Sequence, residues 1–364
     1  MSRVYNFSAG PSCLPEEVLA EAQAELLEYG NTGQSVMEMS HRSSEYEAII
    51  GETERFVRAL LGVTDDYRVL FLQGGASTQF AMVPLNLTVR GKAAYIDTGV
   101  WSSKAIAEAS RYTQADIVAS SKDETYRFIP AVPPLADGYD YLHITLNNTI
   151  MGTAWHRLPE CGNTPLVTDA SSCILSEPLD VSRFALIYAG AQKNLAPAGV
   201  TLVIIRDDML ARESLGIAPT MLRYKTHADS GSLYNTPPCY AIYIMGKVLK
   251  WVERRGGVEG MKRRNGEKAA LFYAYLDRSD FYRGTAEKES RSLMNIPFIM
   301  REMNAEKADR LNKAFVKEAK AVGLVNLSGH RLVGGMRASL YNAMSIDGVK
   351  TLVAFMDGFA KRNG

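Results

Sequence analysis

Seven strand-sized apolar runs, all between residues 65 and 206, constrain the fold of this chain more than any other feature. They are 67-YRVLFL-72, 93-AAYID-97, 115-ADIVAS-120, 141-YLHITL-146, 165-PLVTD-169, 184-FALIYA-189 and 200-VTLVII-205. Several are apolar at successive rather than alternate positions, which is the pattern of a strand covered on both faces. An α/β architecture follows, with helices on both sides of a mostly parallel, mixed sheet. Between the runs, 77-STQFAMVPLNL-87 and 102-SSKAIAEASRY-112 read as helices, each opening on hydroxyl residues suited to capping free amides.

The flanks carry further helices. Pro15 opens 15-PEEVLAEAQAELLEY-29, with acids in its first turn and Gly30 after its last residue, and a second pattern runs 44-SEYEAIIGETERFVRALLG-62. After Pro237-Pro238, 239-CYAIYIMGKVLKWVERRGG-257 reads as one long helix ended by its glycine pair. Beyond it helix and strand alternate in a new rhythm, through 258-VEGMKRRNGEKAALFYAYLD-277, 292-SLMNIPFIM-300, 305-AEKADRLNKAFVKEAKAVG-323 and 335-GMRASLY-341 to a last helix near 346–362. That rhythm predicts a smaller C-terminal α+β domain. A length of 364 residues suits two packed units, expected as a large domain over 16–256 and a small one from 1–15 and 257–364.

Lys and Arg number 41 against 40 Asp and Glu, a net charge of +1. This balance gives no electrostatic reason to expect nucleic acid or an anionic membrane, so an anionic ligand must be met by local cations. No apolar stretch approaches the ~20 residues of a membrane span. The first residues, MSRVYNFSAGPSCLPEE, lack the apolar core of a secretion signal, and their two acids argue against a transit peptide. A soluble, cytoplasmic protein is expected. Cys13, Cys161, Cys173 and Cys239 form no CxxC pair and the five histidines no HxxxH, so neither a metal site nor a disulfide framework is expected.

Lys193 lies in 189-AGAQKNLAPAGV-200, directly after an apolar strand and among small residues that let a bulky partner approach. An amine there can lose its proton by desolvation and attack an aldehyde, although a loop lysine reaching solvent is the ordinary alternative. Asp169 closes 165-PLVTD-169 one strand earlier. In a parallel sheet both residues reach the carboxyl edge, where open α/β sheets bind ligands. A carboxylate there suits a protonated ring nitrogen, the partner that pyridoxal phosphate needs; a turn cap made with Ser171-Ser172 is the alternative. In 72-LQGGASTQF-80 a strand runs through Gly74-Gly75 into a helix, whose free amides suit a phosphate, while neither GxGxxG nor GxxxxGK[ST] is present. Trp101, after the next strand, can stack on a planar ring. Cations gather at His41 and Arg42, and at His330, Arg331 and Arg337. Together these suggest a substrate with two anionic groups, since Arg forks grip carboxylate and phosphate.

Read together, 6-NFSAGPSCLP-15, 39-MSHRS-43, 74-GGASTQF-80, 187-IYAGAQKNLAPAG-199, 235-NTPP-238 and 334-GGMRASLYNAM-344 resemble the phosphoserine aminotransferase family. These are class V pyridoxal-phosphate enzymes of fold type I, and the resemblance covers essentially the whole chain. By position it implies Lys193 as the Schiff-base lysine, Asp169 as the pyridinium partner and Trp101 as the stacking aromatic. Ala76, Ser77 and Gln192 are implied on the cofactor phosphate and Thr149 near its hydroxyl, with Asn235 and Thr236 donated by a neighbouring subunit. Arg42 and Arg337 are implied in binding substrate anions, with His41, His330 and Arg331 around a phosphoryl group. Some members carry glycine and arginine where this chain has Ala76 and Ser77, and others glutamate where it has Asn148.

The implied protein is a homodimer with shared sites. Its implied reaction is reversible transamination of O-phospho-L-serine with 2-oxoglutarate, giving 3-phosphooxypyruvate and L-glutamate in serine biosynthesis. Some bacterial relatives also take 4-phosphohydroxythreonine in pyridoxine synthesis. The nearest rivals are class V aminotransferases for serine–pyruvate or alanine–glyoxylate, whose neutral substrates need no such cation set. A cysteine desulfurase would need a late cysteine, and none follows Cys239. A non-catalytic carrier of the cofactor would not need both Lys193 and Asp169.

Overall fold

The computed structural model describes residues 3–212 and 215–364. Its centre is a seven-stranded sheet in the order Tyr67–Leu72, Thr201–Arg206, Leu186–Gly190, Leu166–Asp169, Leu142–Thr145, Lys92–Asp97 and Gln114–Ser120. Thr201–Arg206 runs antiparallel to both its neighbours and every other pairing is parallel. Leu72, Asp97, Asp169 and Gly190 therefore end their strands on one edge of the sheet, and the loops that follow them converge there.

Strand side chains alternate between two cores. Val69, Phe71, Ile187, Ala189, Leu202 and Ile204 pack with the helices Ser44–Leu61 and Cys239–Arg254. Leu70, Leu72, Leu186, Tyr188, Val203 and Ile205 face the opposite way, toward Gly75–Leu87 and Val100–Ala109. Both faces are covered, as the unbroken apolar runs require. A separate core gathers Phe7 with residues 269–359, around the antiparallel sheet of Tyr282–Gly284, Asn295–Met300 and Met336–Ser339. The strand Tyr5–Asn6 pairs parallel with Leu324–Val325, tying the first residues to this later part.

Three local readings change. The first helix spans only Glu16–Ala24; residues up to Gln34 form turns instead, closed by the Tyr29 amide on the Gln34 carbonyl, and Leu27 there is 86% exposed. The helices Gly75–Leu87 and Val100–Ala109 begin two residues earlier than their hydroxyls suggest, with Gly74 and Gly99 at the cap positions. In the second of these, Ser102 Oγ reaches back to accept from the Thr98 and Gly99 amides. No helix among the described residues is long and apolar enough to cross a membrane, and no group of His, Cys, Asp or Glu among them could hold a metal ion.

Candidate active site

Lys193 sits three residues beyond the Leu186–Gly190 strand. Its Nζ donates to Thr149 Oγ1 at 3.0 Å and lies 5.7 Å from the centroid of the Trp101 indole. Burial pushes its amine below the ordinary lysine value, with Asp169 opposing. Asp169 is buried at the end of the adjacent parallel strand, and burial raises its carboxyl against the opposing pull of Lys193. Asp169 Oδ1 also accepts from the Ser171 amide at 2.8 Å, so the turn-cap role holds as well.

The Lys193 backbone is held from far away in sequence. Ser12 Oγ hydrogen-bonds to the Lys193 carbonyl, and the Ser12 amide donates to the Gln192 carbonyl at 2.9 Å. Tyr341 Oη fixes the same amino-terminal loop by donating to the Ala9 carbonyl at 2.7 Å, while accepting from Asn295 Nδ2 at 3.1 Å. Neither Ser12 nor Tyr341 is singled out by the sequence reading.

Arg337 enters on the Met336–Ser339 strand, and its Nη1 donates to the Thr149 carbonyl at 3.4 Å. The turn holding Thr149 reaches that strand's neighbour through Gly152, at φ +76°. A Cβ on Gly152 would meet Pro297 Cδ at 2.2 Å, so only glycine allows this approach. Asn148, a departure from the family pattern, makes no hydrogen bond to Lys193 among the described residues. It accepts from Thr98 Oγ1 at 3.1 Å and donates to Thr153 Oγ1 at 3.0 Å.

Ala76 and Ser77 occupy the first turn of Gly75–Leu87, whose cap residue Gly74 supplies no side-chain acceptor. Their end of the helix is thus open to an anion. Gln192 is half-buried beside Gly190. His330 is surrounded by like charge: burial lowers its imidazole, and Arg337, Arg331 and Lys104 lower it further. Arg331 is exposed.

The structure gathers Lys193, Asp169, Trp101, Thr149 and Arg337 into one site, with His330 and Arg331 beside Arg337. His41, Arg42, Asn235 and Thr236 form a second group. Thr236 Oγ1 lies 3.2 Å from His41 Nδ1, Arg42 is exposed beside them, and Gln73 Nε2 donates to the Thr236 carbonyl at 3.4 Å. No hydrogen bond among the described residues joins this group to Lys193.

A lysine–aspartate pair at the carboxyl edge of a mixed α/β sheet fits an aminotransferase, and the chain belongs to the class V family of these enzymes. The family model described as "Aminotransferase class-V" matches residues 4–352. The chain is 52% identical over 366 residues to a phosphoserine aminotransferase of Desulfatibacillum aliphaticivorans, covering 100% of this chain and 99% of that one. It is 52% identical over 365 residues to that of Pseudomonas aeruginosa, covering 100% and 99%. Among solved structures, a phosphoserine aminotransferase from Bacillus circulans subsp. alkalophilus superposes with a TM-score of 0.95 at 49% identity, covering 100% of this chain and 99% of that one. A pyridoxal-phosphate-bound relative from Trichomonas vaginalis gives a TM-score of 0.90 at 34% identity, covering 98% and 100%.

Proposed function

We propose that this chain is a pyridoxal-phosphate transaminase that exchanges the amino group of O-phospho-L-serine with 2-oxoglutarate, yielding 3-phosphooxypyruvate and L-glutamate. The observation that carries the reading is the Lys193 amine, held by Thr149 against Trp101 next to the buried Asp169. The residues fit the cofactor. Asp169 is a desolvated carboxyl group, raised by burial, which a protonated ring nitrogen would stabilise as the carboxylate. Trp101 Nε1 is buried without a hydrogen-bond partner, and the first turn of Gly75–Leu87 is open to a phosphate. Relatives about half identical over the whole chain carry the same activity in their names.

Pyridoxal phosphate, when bound, supplies an aldehyde and an electron-withdrawing ring that acidifies the amino acid's Cα–H. Lys193 would hold it through Nζ, and the same amine, freed of its proton by burial, would carry the proton from the substrate Cα to the cofactor's former aldehyde carbon. Asp169 would keep the ring nitrogen protonated and Trp101 would offer its indole to the ring. Ala76, Ser77 and Gln192 would hold the phosphate, and Thr149 orients Lys193. Arg337 binds the substrate carboxylate, while His330 and Arg331 meet the distal phosphate or the γ-carboxylate of glutamate.

We propose further that the enzyme is a cytoplasmic homodimer. Asn235, Thr236 and Arg42 are exposed, and no hydrogen bond among the described residues joins them to Lys193, which suits delivery to a neighbour's site. Because Thr236 touches His41, the subunit that supplies Thr236 also brings His41 and Arg42. The separate cores support the division into 16–256 and the two flanking segments. The same anion pocket suits 4-phosphohydroxythreonine, which would place the enzyme in pyridoxine synthesis too.

The decisive experiment is a half-reaction of the cofactor-loaded enzyme with phosphoserine, followed by cofactor absorbance and by release of the keto acid. Rapid conversion with phosphoserine and slow conversion with L-serine or L-alanine supports the reading. Preference for the neutral amino acids overturns it.

A further inference from the structure

We propose that Lys104 is a specificity-determining residue that reads the distal anion of the substrate. This deepens the functional reading above and rests on it. Lys104 lies on Val100–Ala109, three residues after Trp101, and its Nζ sits 4.9 Å from the indole centroid. Lys193 Nζ is 5.7 Å from the same centroid, so one indole carries both the reacting amine and a second ammonium group.

An exposed helical lysine ordinarily pairs with an acid one turn away. Glu108 stands at that position but is engaged elsewhere, with Arg111 at 3.3 Å and Tyr112 Oη at 3.1 Å. Asp97, before the same helix, accepts from Ser102, Ser103 and Tyr126. Among the described residues Lys104 makes no ion pair with any acid. Its charge instead adds to Arg331 and Arg337 around His330, with no acid in that set. A concentration of positive charge without an ion-pair partner, beside the indole that also flanks Lys193, is a charge held for an anionic ligand.

Coulomb energy scales with the ligand's charge. A phosphate monoester carries about −1.5 to −2 near neutral pH, against −1 for a carboxylate. Removing Lys104 must therefore weaken phosphoserine more than glutamate, and the loss must appear in KM rather than kcat. For Lys104→Gln in the holoenzyme we expect kcat/KM for phosphoserine to fall about tenfold and for L-glutamate about threefold, with most of both losses restored by Lys104→Arg. The imidazole of His330, followed by NMR in wild type and Lys104→Gln, should titrate at a higher pH in the variant. Equal losses for the two substrates, a loss confined to kcat, or an unmoved His330 titration would overturn the proposal. Failure of the wild type to use phosphoserine would instead sink the functional reading, and the His330 titration then decides whether Lys104 acts on this pocket.

Discussion

Lys193 Nζ donates a 3.0 Å hydrogen bond to Thr149 Oγ1. The carbonyl of that threonine accepts from Arg337, so one residue positions both the amine proposed to react and the cation proposed to hold the substrate. Thr149 can do this because it belongs to a turn anchored to the large sheet through Asn147 and Ser172, at 2.7 Å, while Gly152 packs on Pro297 of the small sheet.

From this geometry Lys193→Ala should retain cofactor through phosphate and ring contacts but lose covalent attachment. Turnover should fall by at least about a thousandfold, within the range for loss of a general acid–base. Borohydride reduction of the wild type followed by peptide mapping checks the assignment. Cofactor recovered on any lysine other than Lys193 would refute it.

Gly74 should resist replacement. Its φ is +92° and an added Cβ would meet Thr78 Oγ1 at 2.0 Å and Thr78 Cβ at 2.6 Å, whereas Gly62, at φ +65°, has open space around it. Gly62→Ala should cost about 1 kcal/mol of stability from backbone conformation alone. Gly74→Ala should cost about 1–3 kcal/mol. It should also weaken non-covalent binding of pyridoxal phosphate in a Lys193→Ala background about tenfold, a typical loss for one charge-assisted contact. Equal unfolding costs with unchanged binding would show that this turn does not hold the phosphate.

A pH dependence of stability follows from His143. Its ring is buried, stacked on Tyr95 at 5.1 Å, with Nε2 2.8 Å from Tyr188 Oη and Nδ1 without a partner. Burial holds the imidazole down at about 3, against an ordinary value of 6.5. Between those limits the unfolded chain binds a proton that the folded one refuses. Stability is therefore full above about pH 6.5 and falls as the pH drops toward 3, by up to about 1.4 kcal/mol per pH unit. Subtracting the curve of His143→Gln removes the carboxylate contribution. Parallel curves for the two proteins, or an imidazole signal titrating near 6.5, would contradict the assignment.

The sheet was legible because strands covered on both faces are largely apolar, and all seven predicted runs match strands within about two residues, although the edge strand Gln114–Ser120 holds no buried residue and its Ile117 is 54% exposed. The placement of Asp169 and Lys193 was legible for a related reason: Asp169 ends an apolar strand, and Lys193 follows the end of the neighbouring one by three residues. The amino-terminal helix was overextended because Leu26, Leu27 and Tyr29 continue a helical pattern, yet Leu27 lies exposed in a turn. Ser12 was invisible because its contact with Lys193 spans 181 residues and has no local signature. Lys104 looked like any helix-surface lysine. Only the engagement of Glu108 with Arg111 and Tyr112, a matter of three-dimensional pairing, leaves its charge free.

The contact of Thr236 with His41 leads to a test of the shared site. No hydrogen bond among the described residues joins either of them to Lys193 of the same chain. In the proposed dimer, Thr236→Glu puts a carboxylate against the cofactor phosphate of the neighbouring site and abolishes binding there by like-charge repulsion. A Lys193→Ala chain keeps an intact Thr236, and a Thr236→Glu chain an intact Lys193. Each homodimer should be inactive, whereas a mixed dimer holds one wholly wild-type site and one doubly damaged one. Random exchange of equal amounts makes about half the dimers mixed under two-fold symmetry, so roughly a quarter of all sites should recover activity. Mass spectrometry or differential tagging establishes the exchange independently. If exchange is complete and no activity returns, Thr236 serves the cofactor of its own chain, and His41, bonded to it, does so as well.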